Sequence, residues 1–133
     1  MKDSGKREQH KSGAVRDKRT GKGRFDLMSP FALWRIAQVC EKGAVKYEDR
    51  NWEKGFPFSR VLDSAIRHII QYMMGMEDED HLAHGAWNLM ALLHFEETHP
   101  ELDDMPHYAD QERIRKLEKA LMQGEAKDWK VNK

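Results

Sequence analysis

The stretch Asp80-His81-Leu82-Ala83-His84-Gly85-Ala86-Trp87-Asn88-Leu89-Met90-Ala91-Leu92-Leu93-His94-Phe95-Glu96-Glu97-Thr98 decides how this chain folds. It predicts a helix from about Asp80 to Thr98 that ends before Pro100. His81, His84 and Asn88 stand at i, i+3 and i+7, so they share one face. The same stripe continues as Ala91, Leu92 and Phe95, which are core residues. One face is therefore polar in its first two turns and apolar in its last two. Burying three polar side chains without partners costs several kcal/mol, so each other, another helix, a metal or a ligand must satisfy them.

Working outward, Ser59 is placed to cap a preceding helix with Leu62, Ala65, Ile66, Ile69, Ile70 and Met73 at helical spacing, closed by Gly75. His68 lies beside that stripe, whereas Arg67, four residues after Asp63, suits a surface ion pair. Ser29-Pro30 marks the start of an earlier helix running to about Tyr47. Its inner face reads as Trp34, Ala37, Ala44 and Val45, widened by Leu33, Ile36 and Cys40, with Glu41 on the same side and Glu48 seven residues on. Asn51, Gly55 and Pro57 make the next segment a loop, with Trp52 as an anchor. The run Glu77-Asp78-Glu79-Asp80, alone, reads as a solvated helix N-terminus. A last helix starts near Asp110, carries Ile114, Leu117 and Leu121, and stops at Gly124. No strand is expected. The fold class is all-α, a small bundle of about four helices behind a basic, mostly irregular N-terminal arm.

Size agrees with that. The 133 residues are 39% hydrophobic and 35% charged, enough for one modest core under a charged helical surface. The expected organisation is a flexible tail over 1–12, one domain over 13–124 and a C-terminal tail over 125–133. The single cysteine, Cys40, excludes an internal disulfide framework and points to a reducing compartment. No apolar run approaches ~18 residues, and the basic N-terminus lacks the apolar segment of a secretory signal. No membrane partner is expected, and the localisation read from this is cytoplasmic.

The zero net charge hides an asymmetry. Residues 1–24 hold nine Lys/Arg against Asp3, Glu8 and Asp17, leaving 14 basic and 20 acidic residues in the rest. A cationic arm precedes an acidic body. Within the body, Glu41, Glu48, His68, Asp78, Asp80, His81, His84 and Asn88 can converge at one end of the bundle, where facing helices build metal and ligand sites. Oxygen donors favour Mg²⁺ or Mn²⁺, and imidazoles admit Mn²⁺, Co²⁺ or Zn²⁺.

Several strings, taken in order, resemble a known family. They are Ser12-Gly13-Ala14-Val15-Arg16-Asp17, Gly21-Lys22-Gly23-Arg24-Phe25-Asp26-Leu27, Gly43-Ala44-Val45-Lys46-Tyr47, Asn51-Trp52-Glu53-Lys54-Gly55, Arg67-His68 and His81-Leu82-Ala83-His84-Gly85-Ala86-Trp87-Asn88. From about residue 12 to 96 the chain is similar to the phage-rich dATP/dGTP diphosphohydrolase N-terminal domain family. The resemblance implies a function like that of MazG-like nucleotide pyrophosphohydrolases. It also implies a divalent cation, usually Mg²⁺, held by carboxylates around a triphosphate, and a phage protein acting in the host cytoplasm, or a bacterial or prophage one. The MazG-like Glu-Glu-x-x-Glu motif is incomplete here, because Ala44 stands three residues after Glu41.

The expectation is then a metal-dependent pyrophosphohydrolase acting on a purine dNTP such as dGTP or dATP. Glu41, Asp78, Asp80 and His81 are the expected metal ligands. His84, His68 and Asp80 are the expected catalytic groups, an imidazole being able to orient or deprotonate the water near neutral pH. Lys22, Arg24, Lys46, Asn51, Trp52, Arg67 and Asn88 are the expected nucleotide contacts, Trp52 being equally readable as a core plug. Gly21 and Gly23 suit a segment that lets backbone N–H groups approach phosphate oxygens. A homo-oligomer, dimer or tetramer, is the expected assembly. The rival reading is a non-catalytic nucleotide-binding protein that sequesters a signalling nucleotide. Nucleic-acid binding through the arm ranks last, because the acidic body repels a duplex.

Overall fold

The computed structural model describes residues 5–107 and 111–122. Two short strands, β1 (Arg7–Gln9) and β2 (Val15–Asp17), precede four helices: α1 (Pro30–Lys46), α2 (Phe58–Met73), α3 (His81–Thr98) and α4 (Gln111–Met122). Single turns of 3-10 helix lie at Phe25–Leu27, Asn51–Lys54 and Pro100–Leu102.

The all-α class and the helix bounds follow the sequence closely. Ser29 caps α1, its side chain accepting from the Ala32 amide, with Pro30 at the first helical position. Asp80 caps α3 by accepting from Ala83 N. The cap of α2 differs from expectation. Ser59 is inside the helix, and the Asp104 carboxylate, 45 residues on, accepts both Ser59 N (2.8 Å) and Ser59 Oγ. A long-range acid thus occupies the N-terminal donors that no local side chain reaches.

The arm is not strandless. Arg7, Glu8 and Gln9 pair antiparallel with Asp17, Arg16 and Val15. The turn between them closes through His10 N to Ala14 O and Gly13 N to His10 O, both 2.9 Å. Gly13 holds φ +92°, a conformation open to glycine. Residues 7–9 therefore leave the stretch expected to be a flexible tail. Gly124 and residues 125–133 lie outside the described residues.

The core is the antiparallel α2–α3 pair. Phe58 and Val61 at the start of α2 meet Ala91 and Phe95 near the end of α3, with Trp52, Trp87, Leu92, Leu102 and Met105 packed around them. Small residues keep the axes close: Ala65 and Ala83 are buried, and a Cβ built on Gly85 meets Ile69 at 3.5 Å and the Ala65 carbonyl at 3.7 Å. That approach carries His68 onto the first turn of α3.

α1 lies across α3. It turns Ile36, Val39, Gly43 and Ala44 inward, while Trp34 and Val45 remain 70% and 85% exposed. The expected inner face of α1 is corrected accordingly, and Glu41 goes outward with Trp34. Apolar residues nearly encircle α1, so period alone does not select its face. Leu117 and Leu121 of α4 are likewise exposed. Among the described residues no helix is long and apolar enough to cross a membrane.

Candidate functional site

A cavity of about 760 Å³ opens between the C-terminal half of α1, the loop after it and the α2–α3 seam. Lys42, Lys46 and Arg50 put cations on its wall, Tyr47, Trp52, Phe56 and Trp87 put aromatic rings there, and Asn51 and Asn88 add amides. His68, His84 and Glu79 stand on the wall formed by α2 and the approach to α3. The volume falls within the ~300–1,000 Å³ of small-ligand pockets.

The loop is fixed from beneath. Trp52 packs edge-on to Trp87 (centroids 5.8 Å) and to His94 (4.9 Å), and tilts against Phe95 (5.9 Å). It is at once a core plug and a cavity wall. His99 Nε2 donates to the Glu53 carbonyl at 2.9 Å, and its Nδ1 contacts Glu101 at 3.0 Å. Those acceptors raise the His99 pKa above the ordinary imidazole value. Gly55 holds φ +95°, and any Cβ there would lie 2.5 Å from Leu102 Cδ1.

At the other end of the α2–α3 seam the polar residues interlock. Asp78 Oδ1 lies 2.7 Å from His81 Nε2, and the hydrogen bond from His81 holds the Asp78 carboxyl below its usual range. A carboxylate only accepts, so His81 carries its proton on Nε2 and, when neutral, a lone pair on Nδ1. That Nδ1 stands 2.9 Å from His68 Nδ1. His81 is 2% exposed, and burial together with the neighbouring His84 lowers the His68 pKa, keeping it neutral at pH 7. His68 also stacks on His84 at 4.9 Å between centroids, and His84 Nε2 lies 3.5 Å from Glu79 Oε1. Asn88 is buried and donates from Nδ2 to the His84 carbonyl at 2.8 Å.

The structure thus brings His68, His84, Lys46, Asn51, Trp52 and Asn88 onto one cavity. It sets His81 and Asp78 just behind the wall, joined to His68. Glu48 also lines the cavity, paired with Lys54 at 2.6 Å, and the other expected residues are elsewhere. Asp80 is clamped by Arg35 of α1, Nε to Oδ2 at 2.8 Å, which lowers its pKa to about 2. The same carboxylate caps α3. Glu41 faces solvent outside the cavity. Arg67 pairs with Asp63 at 3.0 Å, the ordinary helical i, i+4 pair. Lys22 binds Asp17 at 2.9 Å, and Arg24 forks onto Asp26 at 2.9 and 2.8 Å, so both cations are paired within their own segment.

Sequence reasoning missed Glu79, Trp87, Lys42 and Arg50. Glu79 was hidden in the acidic run, whose average character is that of a solvated cap. The signal for Lys42 was its place one helical turn before Lys46; Arg50, beyond the end of α1, had no such signal.

An all-α domain whose cavity is lined by aromatic rings, imidazoles and both signs of charge has the features of a small-ligand site. The family model described as dATP/dGTP diphosphohydrolase, N-terminal, matches residues 12–105, and the chain belongs to that family. Comparison with curated proteins and with solved structures returned no significant match.

Proposed function

We propose that this domain cleaves a nucleoside triphosphate, a purine deoxynucleotide such as dGTP or dATP, into monophosphate and pyrophosphate. The observation that carries the reading is one cavity lined by aromatic rings, by imidazoles and by cations set among the carboxylates of Glu48, Asp49, Glu53 and Glu79. Trp52 offers the base a face for stacking, and Asn51 offers it hydrogen bonds. Lys46, with Lys42, offsets charge on the phosphate chain, while Arg50 is paired with Glu53. His84, its Nε2–H turned to Glu79, accepts at Nδ1 the proton of a water that attacks the α-phosphorus, and the P–O bond to pyrophosphate breaks. Membership of the diphosphohydrolase family supports the reaction class.

A divalent ion is part of this reading. The acids named from the sequence, Glu41, Asp78 and Asp80, do not converge on one point as the oxygen donors of an Mg²⁺ cage must. Asp80 is held by Arg35, Asp78 by His81, and Glu41 is outside the cavity. No step is assigned to Mg²⁺, and the same finding favours the second reading, a protein that holds a nucleotide without cutting it. Self-association also belongs to the proposal. Phe31 and Trp34 on α1 are 85% and 70% exposed, an apolar face that a second copy would cover.

The test is to incubate the full chain with each common dNTP and NTP plus Mg²⁺, Mn²⁺ or Co²⁺, and to resolve the products by anion exchange. Monophosphate with pyrophosphate, lost on chelation and in His84→Ala, supports hydrolysis. Diphosphate with orthophosphate moves the attack to another phosphorus. Tight binding without products leaves the sequestering reading. Light scattering across protein concentration reads the assembly, and a monomer throughout removes the self-association.

A further inference from the structure

We propose that His68, Glu79 and His81 form a site for one borderline transition-metal dication of the Zn²⁺, Co²⁺ or Mn²⁺ kind, with Asp78 as the outer partner that sets it. One donor atom from each of His68, Glu79 and His81 lies within 4.8 Å of the others. The two Nδ1 atoms stand 2.9 Å apart, close to the roughly 3 Å that separates adjacent donors on an ion with ~2.0–2.1 Å bonds.

The outer contact is an independent observation. A metal-bound imidazole nearly always donates its other N–H to a carboxylate, carbonyl or water, which fixes its tautomer and orientation. His81 does so to Asp78 at 2.7 Å. That bond commits the His81 Nδ1 lone pair to the point where His68 and Glu79 also arrive. His68, with Nδ1 turned to the same point, supplies the second nitrogen in its Nε2–H tautomer. In its other tautomer it would instead donate a plain N–H···N bond to His81.

Two imidazoles and one carboxylate are a nitrogen-rich donor set, which selects Zn²⁺, Co²⁺ or Mn²⁺ over Mg²⁺. Three protein donors leave coordination positions for water or a phosphate oxygen, as in open rather than closed sites. Glu79 and His68 both line the cavity, so the ion would sit at its wall. The site does not rest on the nucleotide reading: metal binding without turnover keeps the first and removes the second.

The test titrates Co²⁺ alone into the chelator-stripped full chain and follows its visible absorption. The expected result is one Co²⁺ per chain with d–d bands, displaced by Zn²⁺ and not by millimolar Mg²⁺. Glu79→Gln and His68→Gln should each weaken binding by about 100-fold or more, and Asp78→Asn by about 10–100-fold. Arg67→Ala should leave it unchanged. Glu79 is exposed, so Glu79→Gln tests the site without challenging the core. Absent bands, Mg²⁺ competing equally, or binding that survives both Glu79→Gln and His68→Gln would each overturn the proposal and leave the His68–His81 contact as a hydrogen bond.

Discussion

The two ends of the α2–α3 pair are built on opposite principles. At one end Phe58, Val61, Ala91 and Phe95 exclude water, and even the loop above them is nailed down by Trp52. At the other, His68, His81, His84 and Asn88 occupy the positions that period would give to leucine. Apolar packing is non-directional and tolerates a change of partner of equal volume. The imidazole end depends on particular lone pairs and protons meeting at set distances. One seam thus devotes one half to holding the helices and the other to chemistry.

The sharpest way to break this contrast is to truncate each end in turn. Phe95 is fully buried, and Phe95→Ala should cost about 3–5 kcal/mol in urea or thermal unfolding. His68→Ala removes a half-buried ring with no core contact of that size and should cost under ~1.5 kcal/mol, while abolishing turnover or metal binding. Equal losses of stability would mean that the polar end also holds the helices together.

Gly55→Ala tests whether the cavity depends on the apolar end. The backbone there has φ +95° and ψ 154°, a region nearly confined to glycine, and the new methyl would strike Leu102. A loss of about 2 kcal/mol or more is expected, with nucleotide affinity falling because the Trp52 loop is displaced. Unchanged affinity would separate the two ends functionally.

The Arg35–Asp80 clamp gives a smaller effect. Asp80→Asn should cost about 1 kcal/mol, since both partners are partly exposed, and should leave most turnover intact. Because the Asp80 pKa falls from 3.8 to about 2, its contribution is whole above about pH 4 and is lost as pH falls toward 2. A flatter acid limb in Asp80→Asn unfolding curves is the expected signature. A thousandfold loss of turnover instead would return Asp80 to the catalytic set.

The smallest effect has the opposite sign. His99 has its pKa raised by Glu101 and the Glu53 carbonyl, so its contribution is whole below the ordinary imidazole value and lost as pH rises through the raised one. Amide protection over residues 51–55, corrected for intrinsic exchange, should decline across that window in the wild type and not in His99→Gln.

How much of this was legible varies with how locally each feature is encoded. Ser29-Pro30, Asp80 and the 3.6-residue stripe of α3 carry their own signals, so α1 and α3 were found almost to the residue. The polar stripe of His81, His84 and Asn88 also marked the end of the seam where the imidazoles gather. The inner face of α1 was not encoded locally, because Phe31, Leu33, Trp34, Ile36, Val39 and Val45 surround the helix and α3 chooses among them. Which acid joins the imidazoles was equally hidden. Four consecutive carboxylates look alike in sequence, yet Asp78 goes to His81, Glu79 to His84 and Asp80 to Arg35.

Asp104 on the first turn of α2 has a kinetic meaning. A helix whose opening amide and hydroxyl are satisfied by a residue 45 positions later leaves those donors to water until the intervening chain has returned. Formation of α2 and the docking of the segment beyond α3 become one cooperative event, with a long loop to close before the reward arrives. A nascent chain released only as far as Thr98 would hold α2 with a frayed start, just where Phe58 and Val61 must find Phe95. The last step of folding and the sealing of the core are then the same step.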